Sequence, residues 1–123
     1  MKPEELYQQA LSFEDRNQYS KAVSVYKQLV SEENDSRYYI AYGVCLQKLS
    51  HWKQSVEMLE KGIKLNPSYC EGDARLFLAE SYLNAGNKKK AIEQWRIVEK
   101  MEPEYPSYEK VPNEAKRMLE KHA

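Results

Sequence analysis

Apolar residues recur at spacings of three and four along almost the whole chain, and strict alternation of apolar and polar residues is nearly absent. This spacing places apolar side chains on one face of an α-helix, whereas alternation would indicate strands. We therefore predict an all-α fold whose helices are joined by short loops. The predicted helices span about residues 3–16, 20–33, 36–49, 53–65, 72–85, 88–101 and 112–122.

Small residues recur at equivalent places in three successive pairs of predicted helices. The first helix of each pair carries one near its middle, and the second helix carries another twelve residues later. These pairs are Ala10 with Ala22, Gly43 with Ser55, and Ala79 with Ala91. Small residues at a crossing let two helices approach closely, and a large apolar residue one turn away fills the neighbouring hole. The pattern predicts three helical hairpins of one kind.

This pattern resembles the tetratricopeptide repeat, a helix-turn-helix unit of about 34 residues. The second and third units carry it at Tyr39, Tyr42, Gly43, Leu46, Ser55, Leu59 and Pro67, and at Leu78, Ala79, Tyr82, Ala91, Trp95 and Pro103. The first unit is weaker, with Gln9 and Asn34 at two pattern positions, and the third departs at Arg75. The resemblance implies a right-handed α-solenoid, with residues 1–123 as one domain and repeats over about 3–36, 37–70 and 72–105.

The last predicted helix has the composition of a cap. Its apolar residues form a stripe, with lysines and glutamates opposite: Val111, Ala115, Met118 and Leu119. A stack of hairpins leaves an apolar edge at its end, and such arrays need a terminal element to cover it. We predict that a seventh helix, over about residues 111–122, caps the third repeat.

The resemblance also implies that the first helix of each hairpin lines a concave surface. A stripe beside the predicted core positions of those helices is mostly apolar, although a solvent-facing stripe is normally polar. The candidate binding residues on and beside it are Tyr7, Leu11, Tyr38, Ile40, Val44, Leu76, Glu80 and Leu83. Two interpretations remain open: an exposed groove that holds an amphipathic helix or apolar peptide, or ordinary core in a slightly different register.

One branch of the family binds the acidic tails of heat-shock chaperones through a clamp of Lys, Asn and Arg. The matching positions here hold Tyr7, Leu11, Val44, Leu76 and Glu80, which cannot hold a carboxylate. We therefore expect a protein–protein interaction scaffold or adaptor, and not a chaperone of the carboxylate-clamp type. The alternative is a structural element that self-assembles into a homo-oligomer through the same concave face.

Composition and charge narrow the possible partners. The chain has 123 residues, of which 41% are hydrophobic, and its 19 basic and 19 acidic residues cancel. Without a basic excess we expect no nucleic-acid partner, and without a long apolar run we expect no membrane insertion. Two cysteines, Cys45 and Cys70, are too few for a disulfide framework and favour the cytoplasm.

Residues capable of chemistry are scattered. The two histidines, His51 and His122, are far apart and have no cysteine or carboxylate at ligand spacing. We therefore predict no enzyme activity, metal or cofactor. The run Lys88–Lys90 is interpreted as the solvated first turn of a helix, with contact to an acidic partner at the groove rim as the alternative.

Overall fold

The computed structural model describes residues 1–102 and 109–123. Their helices are α1 (Pro3–Asp15), α2 (Tyr19–Glu32), α3 (Ser36–Lys48), α4 (Trp52–Leu65), α5 (Glu71–Asn84), α6 (Lys88–Glu99) and α7 (Lys110–His122). The all-α prediction is confirmed, and each helix begins and ends within two residues of its predicted bounds. Pro103, and with it the predicted end of the third repeat, lies outside the described residues.

The helices pack as three stacked hairpins followed by α7. Within the hairpins α1 packs on α2, α3 on α4, and α5 on α6; between them α2 packs on α3 and α4 on α5. Contacts of α3 with α5, and of α5 with α7, bring the odd-numbered helices together on the inner side of the stack. The chain is therefore an α-solenoid whose inner face is built from α1, α3 and α5.

Small residues at the hairpin crossings explain the close packing. The crossing alanines, Ala10, Ala22, Ala79 and Ala91, are all fully buried, as is Ser55. At Gly43 a Cβ atom would lie 2.6 Å from Cγ of Leu59, and at Gly62 it would lie 2.6 Å from Cδ1 of Ile40. Hydrogen in place of a side chain is thus a steric requirement where α3 crosses α4.

The three turns within the hairpins share one conformation. Asn17, Ser50 and Gly86 occupy equivalent positions and have φ angles of 58°, 61° and 89°. In each turn the next residue donates its backbone N–H to a carbonyl near the end of the first helix: Gln18 to Phe13, His51 to Leu46, and Asn87 to Tyr82. This left-handed C-terminal turn closes the helix and reverses the chain.

Replacing Ser50 with glycine should stabilise the protein. A left-handed backbone costs a residue with a Cβ atom about 1–2 kcal/mol, which exceeds the extra flexibility that glycine brings to the unfolded chain. We expect Ser50→Gly to raise the free energy of unfolding by about 0.5 kcal/mol in urea titrations. Gly86→Ala makes the opposite change at the equivalent position of the third hairpin, so it should lower the free energy of unfolding. A more stable Gly86→Ala variant would contradict the proposed cost of the left-handed backbone.

The core has two parts that meet at α3. One part joins the first hairpin to Tyr38, Tyr42, Cys45 and Leu46 of α3. The other part joins Ile40 of α3 to the helices from α4 to α7. Because α3 contacts α2, α4 and α5, most of its circumference is covered by other helices.

A chain of buried polar groups links α3, α4 and α5. Ser55 donates its hydroxyl to the Gly43 carbonyl at 2.7 Å and lies 2.8 Å from the Ser81 hydroxyl. The side-chain amide of Gln47 donates to Ser81 at 2.8 Å and to the Phe77 carbonyl at 2.7 Å. Buried polar groups are stable only when paired, so these bonds fix the second hairpin against the third.

The seventh helix covers the third hairpin, as predicted. Its apolar stripe packs on the second part of the core, and Ala115 is fully buried. A Cβ atom at Gly72, at the start of α5, would lie 2.7 Å from Val111. At the other end of α7 the His122 ring stacks on Trp95 with 5.3 Å between centroids. Both ends of α7 are therefore in contact with the third repeat.

Candidate functional site

Six of the eight candidate residues lie partly or fully exposed on α1, α3 and α5, and this set of residues is called here the concave stripe. Five apolar members are half-buried and the sixth, Glu80, is exposed: they are Tyr7, Leu11, Val44, Leu76, Glu80 and Leu83. Val44, Leu76 and Leu83 each contact the second part of the core on one side. Val44, Leu76 and Leu83 are thus anchored to the core and still partly open to solvent.

Tyr38 and Ile40 lie elsewhere, and their predicted exposure is wrong. Tyr38 is 2% exposed and Ile40 is 8% exposed. Tyr38 turns towards the first hairpin, where its ring meets Tyr7 edge-on at 5.2 Å, and Ile40 fills the space above Gly62. The predicted core residue Tyr39 is instead half-buried. The error arises because α3 is covered on more sides than a two-helix hairpin would suggest.

Arg37 lies beside Tyr7 of the concave stripe and was not among the candidate residues predicted from the sequence. Its guanidinium lies 5.8 Å from the centroid of the Tyr7 ring and 2.9 Å from carboxylate oxygens of Glu4 and Asp35. Hydrogen bonds to these carboxylates raise the pKa of Arg37 above its usual value, and the bond from Arg37 lowers the pKa of Asp35. Arg37 therefore remains charged and paired, and it orients the Tyr7 ring.

Two further half-buried apolar residues lie on the helices that carry the concave stripe. Ala41 of α3 and Phe77 of α5 are half-buried and pack on the two parts of the core. Phe77 directly follows Leu76 and points about 100° away from it around the helix, so α5 carries half-buried apolar side chains beyond the concave stripe. A search for apolar residues two positions before each small crossing residue would have found both.

A second concavity lies on the outer side of the stack. It is a cleft of about 540 Å³ between α4 and α6, with Arg75 and Tyr82 of α5 among its lining residues. Arg75 occupies the position where the repeat pattern has an aromatic residue; it donates to Glu71 at 3.1 Å and to Gln94 at 2.8 Å. Tyr82 donates to Glu60. These polar groups are satisfied by one another, so the departure at Arg75 has a structural explanation.

The residues singled out for possible chemistry are dispersed in the structure. Cys45 is fully buried, which raises the pKa of its thiol, whereas Cys70 is exposed at the start of α5. Across residues 1–102 and 109–123, no three His, Cys, Asp or Glu side chains are grouped so that they could hold a metal ion. No helix in the described part of the chain is long and apolar enough to cross a membrane.

The resemblance to the tetratricopeptide repeat is confirmed. Residues 6–36, which cover most of the first hairpin, match the family described as Tetratricopeptide repeat. The match falls on the first unit, which departs from the repeat pattern at Gln9 and Asn34. No curated protein matches the sequence. The match shows one tetratricopeptide repeat, over residues 6–36, and the packing of the described helices continues the same fold through the second and third hairpins.

Several solved structures share the fold. PcrH of Pseudomonas aeruginosa, crystallised with the chaperone binding region of PopD, has a TM-score of 0.86 at 21% identity, over 96% of this chain and 88% of that chain. The Yersinia enterocolitica type III secretion chaperone SycD, in complex with a peptide of the translocator YopD, has a TM-score of 0.84 at 21% identity, over 96% of this chain and 89% of that chain. MamA has a TM-score of 0.77 at 20% identity, over 98% of this chain and 75% of that chain.

These structures correct the functional prediction. The missing carboxylate clamp led us to expect an adaptor, with self-assembly as the alternative, and to set the chain apart from chaperones. That separation is wrong, because PcrH and SycD share the fold and are chaperones. A clamp is one chemistry by which a repeat surface recognises a partner. Its absence excludes that chemistry and does not exclude chaperones as a class.

Proposed function

We propose that this protein is a chaperone-type binding protein whose concave stripe holds an apolar segment of a partner. The observation that carries the proposal is the set of half-buried apolar side chains on α1, α3 and α5, which a segment laid across them would cover. The likeness to PcrH and SycD, both crystallised with segments of partner proteins, supports it. The function requires no chemical step.

The width of the concave stripe sets the length of the segment. Packed helices lie about 8–10 Å apart, so a ligand that touches α1, α3 and α5 spans about 20 Å. An extended peptide covers that distance with about six residues, and a helix needs about thirteen. Val44 lies on the middle helix, so it would contact a bound segment of either kind near its centre.

We include the cytoplasm in the proposal as the compartment of action. Both cysteines, Cys45 and Cys70, are unpaired, and Cys70 is exposed. An exposed thiol persists in a reducing compartment, whereas oxidising compartments favour disulfides.

Val44→Glu should abolish binding while leaving the protein folded. The side chain is half-buried, so a carboxylate there can still reach water, and we expect a loss of about 1 kcal/mol in the free energy of unfolding. A bound apolar segment would cover the carboxylate and leave it unpaired, which should weaken binding at least about tenfold. Peptides selected from a random phage-displayed library on the wild-type protein, and titrated by fluorescence anisotropy, supply the probe.

Ile97→Glu is the matched control. Ile97 is 42% exposed and lies on α6, outside the inner face, so the same charge enters another apolar surface position. We expect this variant to bind the selected peptides like the wild type. A folded Val44→Glu protein that retains wild-type affinity would show that the binding surface is not the concave stripe.

A further inference from the structure

The charges of this neutral chain are sorted between its two edges. Because successive helices run in opposite directions, the three turns within the hairpins lie at one edge of the stack. Residues 12–22, 45–55 and 81–91 form this edge and carry seven cationic residues against two carboxylates, Glu14 and Asp15. At the opposite edge, residues 2–6, 29–39 and 62–75 carry seven carboxylates against four cationic residues. A net charge of zero therefore conceals a strongly polarised molecule.

The positive charge is concentrated on the second and third hairpins, whose turn segments 45–55 and 81–91 contain no carboxylate. Five exposed lysines form what is called here the lysine edge: Lys48, Lys53, Lys88, Lys89 and Lys90. Among the described residues, none of them takes part in an ion pair. The ammonium of Lys90 lies 5.6 Å from the centroid of the Tyr82 ring, which is a contact with an aromatic face and not with an acid.

The lysine edge is unfavourable for the free protein. Four of its lysines lie in the first turns of α4 and α6, where the helix dipole is positive, and neither first turn contains an acidic residue. Cations at that position repel the dipole, and carboxylates are the residues that stabilise it. The electrostatic environment therefore favours an anion supplied from outside the chain.

The lysine edge adjoins the concave stripe. Lys48 follows Val44 by one helical turn on α3, and Leu83 lies in the last turn of α5, just before the turn that leads to Lys88. We propose that the lysine edge binds an acidic stretch of the partner protein, next to the apolar segment held on the concave stripe. This inference rests on the proposed function, because it assigns the acidic stretch to the same partner.

The charge pattern favours a peptide over other polyanions. A DNA duplex or an anionic membrane presents negative charge over a larger area than the five lysines cover, so most of its charge would stay unpaired by the lysine edge. A short acidic stretch can follow the lysine edge alone. The flexible side chain of lysine can pair with a carboxylate in many orientations, so the lysine edge can bind a peptide that has no fixed conformation.

Fluorescein-labelled hexaglutamate tests the inference by anisotropy on the whole protein. The triple variant Lys88→Gln, Lys89→Gln and Lys90→Gln should weaken its binding about tenfold at low salt, and added salt should weaken wild-type binding. The control triple Lys2→Gln, Lys27→Gln and Lys100→Gln removes the same charge from exposed positions away from the lysine edge. We expect its affinity to remain within about twofold of wild type.

Three results would overturn the inference: no binding of hexaglutamate, equal weakening by both triple variants, or tighter lysine-dependent binding of duplex DNA or anionic lipid vesicles. A Val44→Gln variant separates this inference from the proposed function, because it adds a polar group to the concave stripe without placing a carboxylate one turn before Lys48. It should bind the selected apolar peptides more weakly and retain hexaglutamate. If the triple lysine variant binds hexaglutamate as the wild type does, while the apolar peptides still bind, the inference about the acidic stretch is rejected and the proposed function stands.

Discussion

Gly43→Val should unfold the protein or destabilise it by about 3 kcal/mol or more. A Cβ atom at this position would lie 2.6 Å from Cγ of Leu59 and 3.2 Å from its backbone nitrogen. The side chain of Leu59 is fully buried and has no free space to enter, so α3 and α4 must separate. Urea unfolding followed by circular dichroism measures the loss.

A double-mutant cycle tests whether that contact is the cause. Leu59→Ala alone should cost about 2–5 kcal/mol, because it leaves a cavity in the core. In the Gly43→Val background the same truncation removes the clash, so the double variant should be more stable than the sum of the single losses predicts. Strict additivity would show that the two residues are not in contact, and the hairpin crossing would then be wrongly placed.

Deleting residues 110–123 should produce the second large effect. The deletion removes Ala115 and the apolar stripe of α7, and it uncovers Trp95, which is 1% exposed in the intact chain. We expect a loss of at least about 3 kcal/mol and a concentration-dependent increase in mass, measured by light scattering. The apolar end of an uncapped solenoid is a surface onto which other copies can pack.

Lys116→Ala with Lys121→Ala provides the control for the deletion. Both lysines are exposed on α7, so the variant alters the charge of this helix without changing its packing. It should remain monomeric and as stable as the wild type. If the truncated protein behaves in the same way, α7 is a terminal appendage and not a cap.

The helices and hairpins were predictable because their signals are local. Periodicity gave the helix ends, and the spacing of small residues gave the crossings at Gly43, Ala79 and Ala91. The shared turn was only partly visible, since Gly86 is a usual residue for a left-handed backbone whereas Asn17 and Ser50 are less so. The spacing of the repeats would nevertheless have aligned all three turns.

The candidate surface was less predictable because it depends on contacts between hairpins. Position along a single helix placed Tyr38 and Ile40 on the open side of α3, and only the neighbouring hairpins show that they are covered. The pairing of Gln47 with Ser81, 34 positions later, likewise has no local signal. The polarised edges were present in the sequence, but they become visible only when the turns are assigned to sides of the stack.

The hydrogen-bonded chain from Gln47 through Ser81 to Ser55 also limits how this array can change in length. A hairpin inserted between α4 and α5 would separate these groups and bury them without partners, at a cost of about 1–3 kcal/mol for each unsatisfied group. An insertion at residues 33–35, between α2 and α3, would leave every bond of that chain in place. The polar chain therefore ties the second hairpin to the third, and an added hairpin would fit better at the junction before α3, where it would have to replace the contacts of Arg37 and Tyr38 with α1.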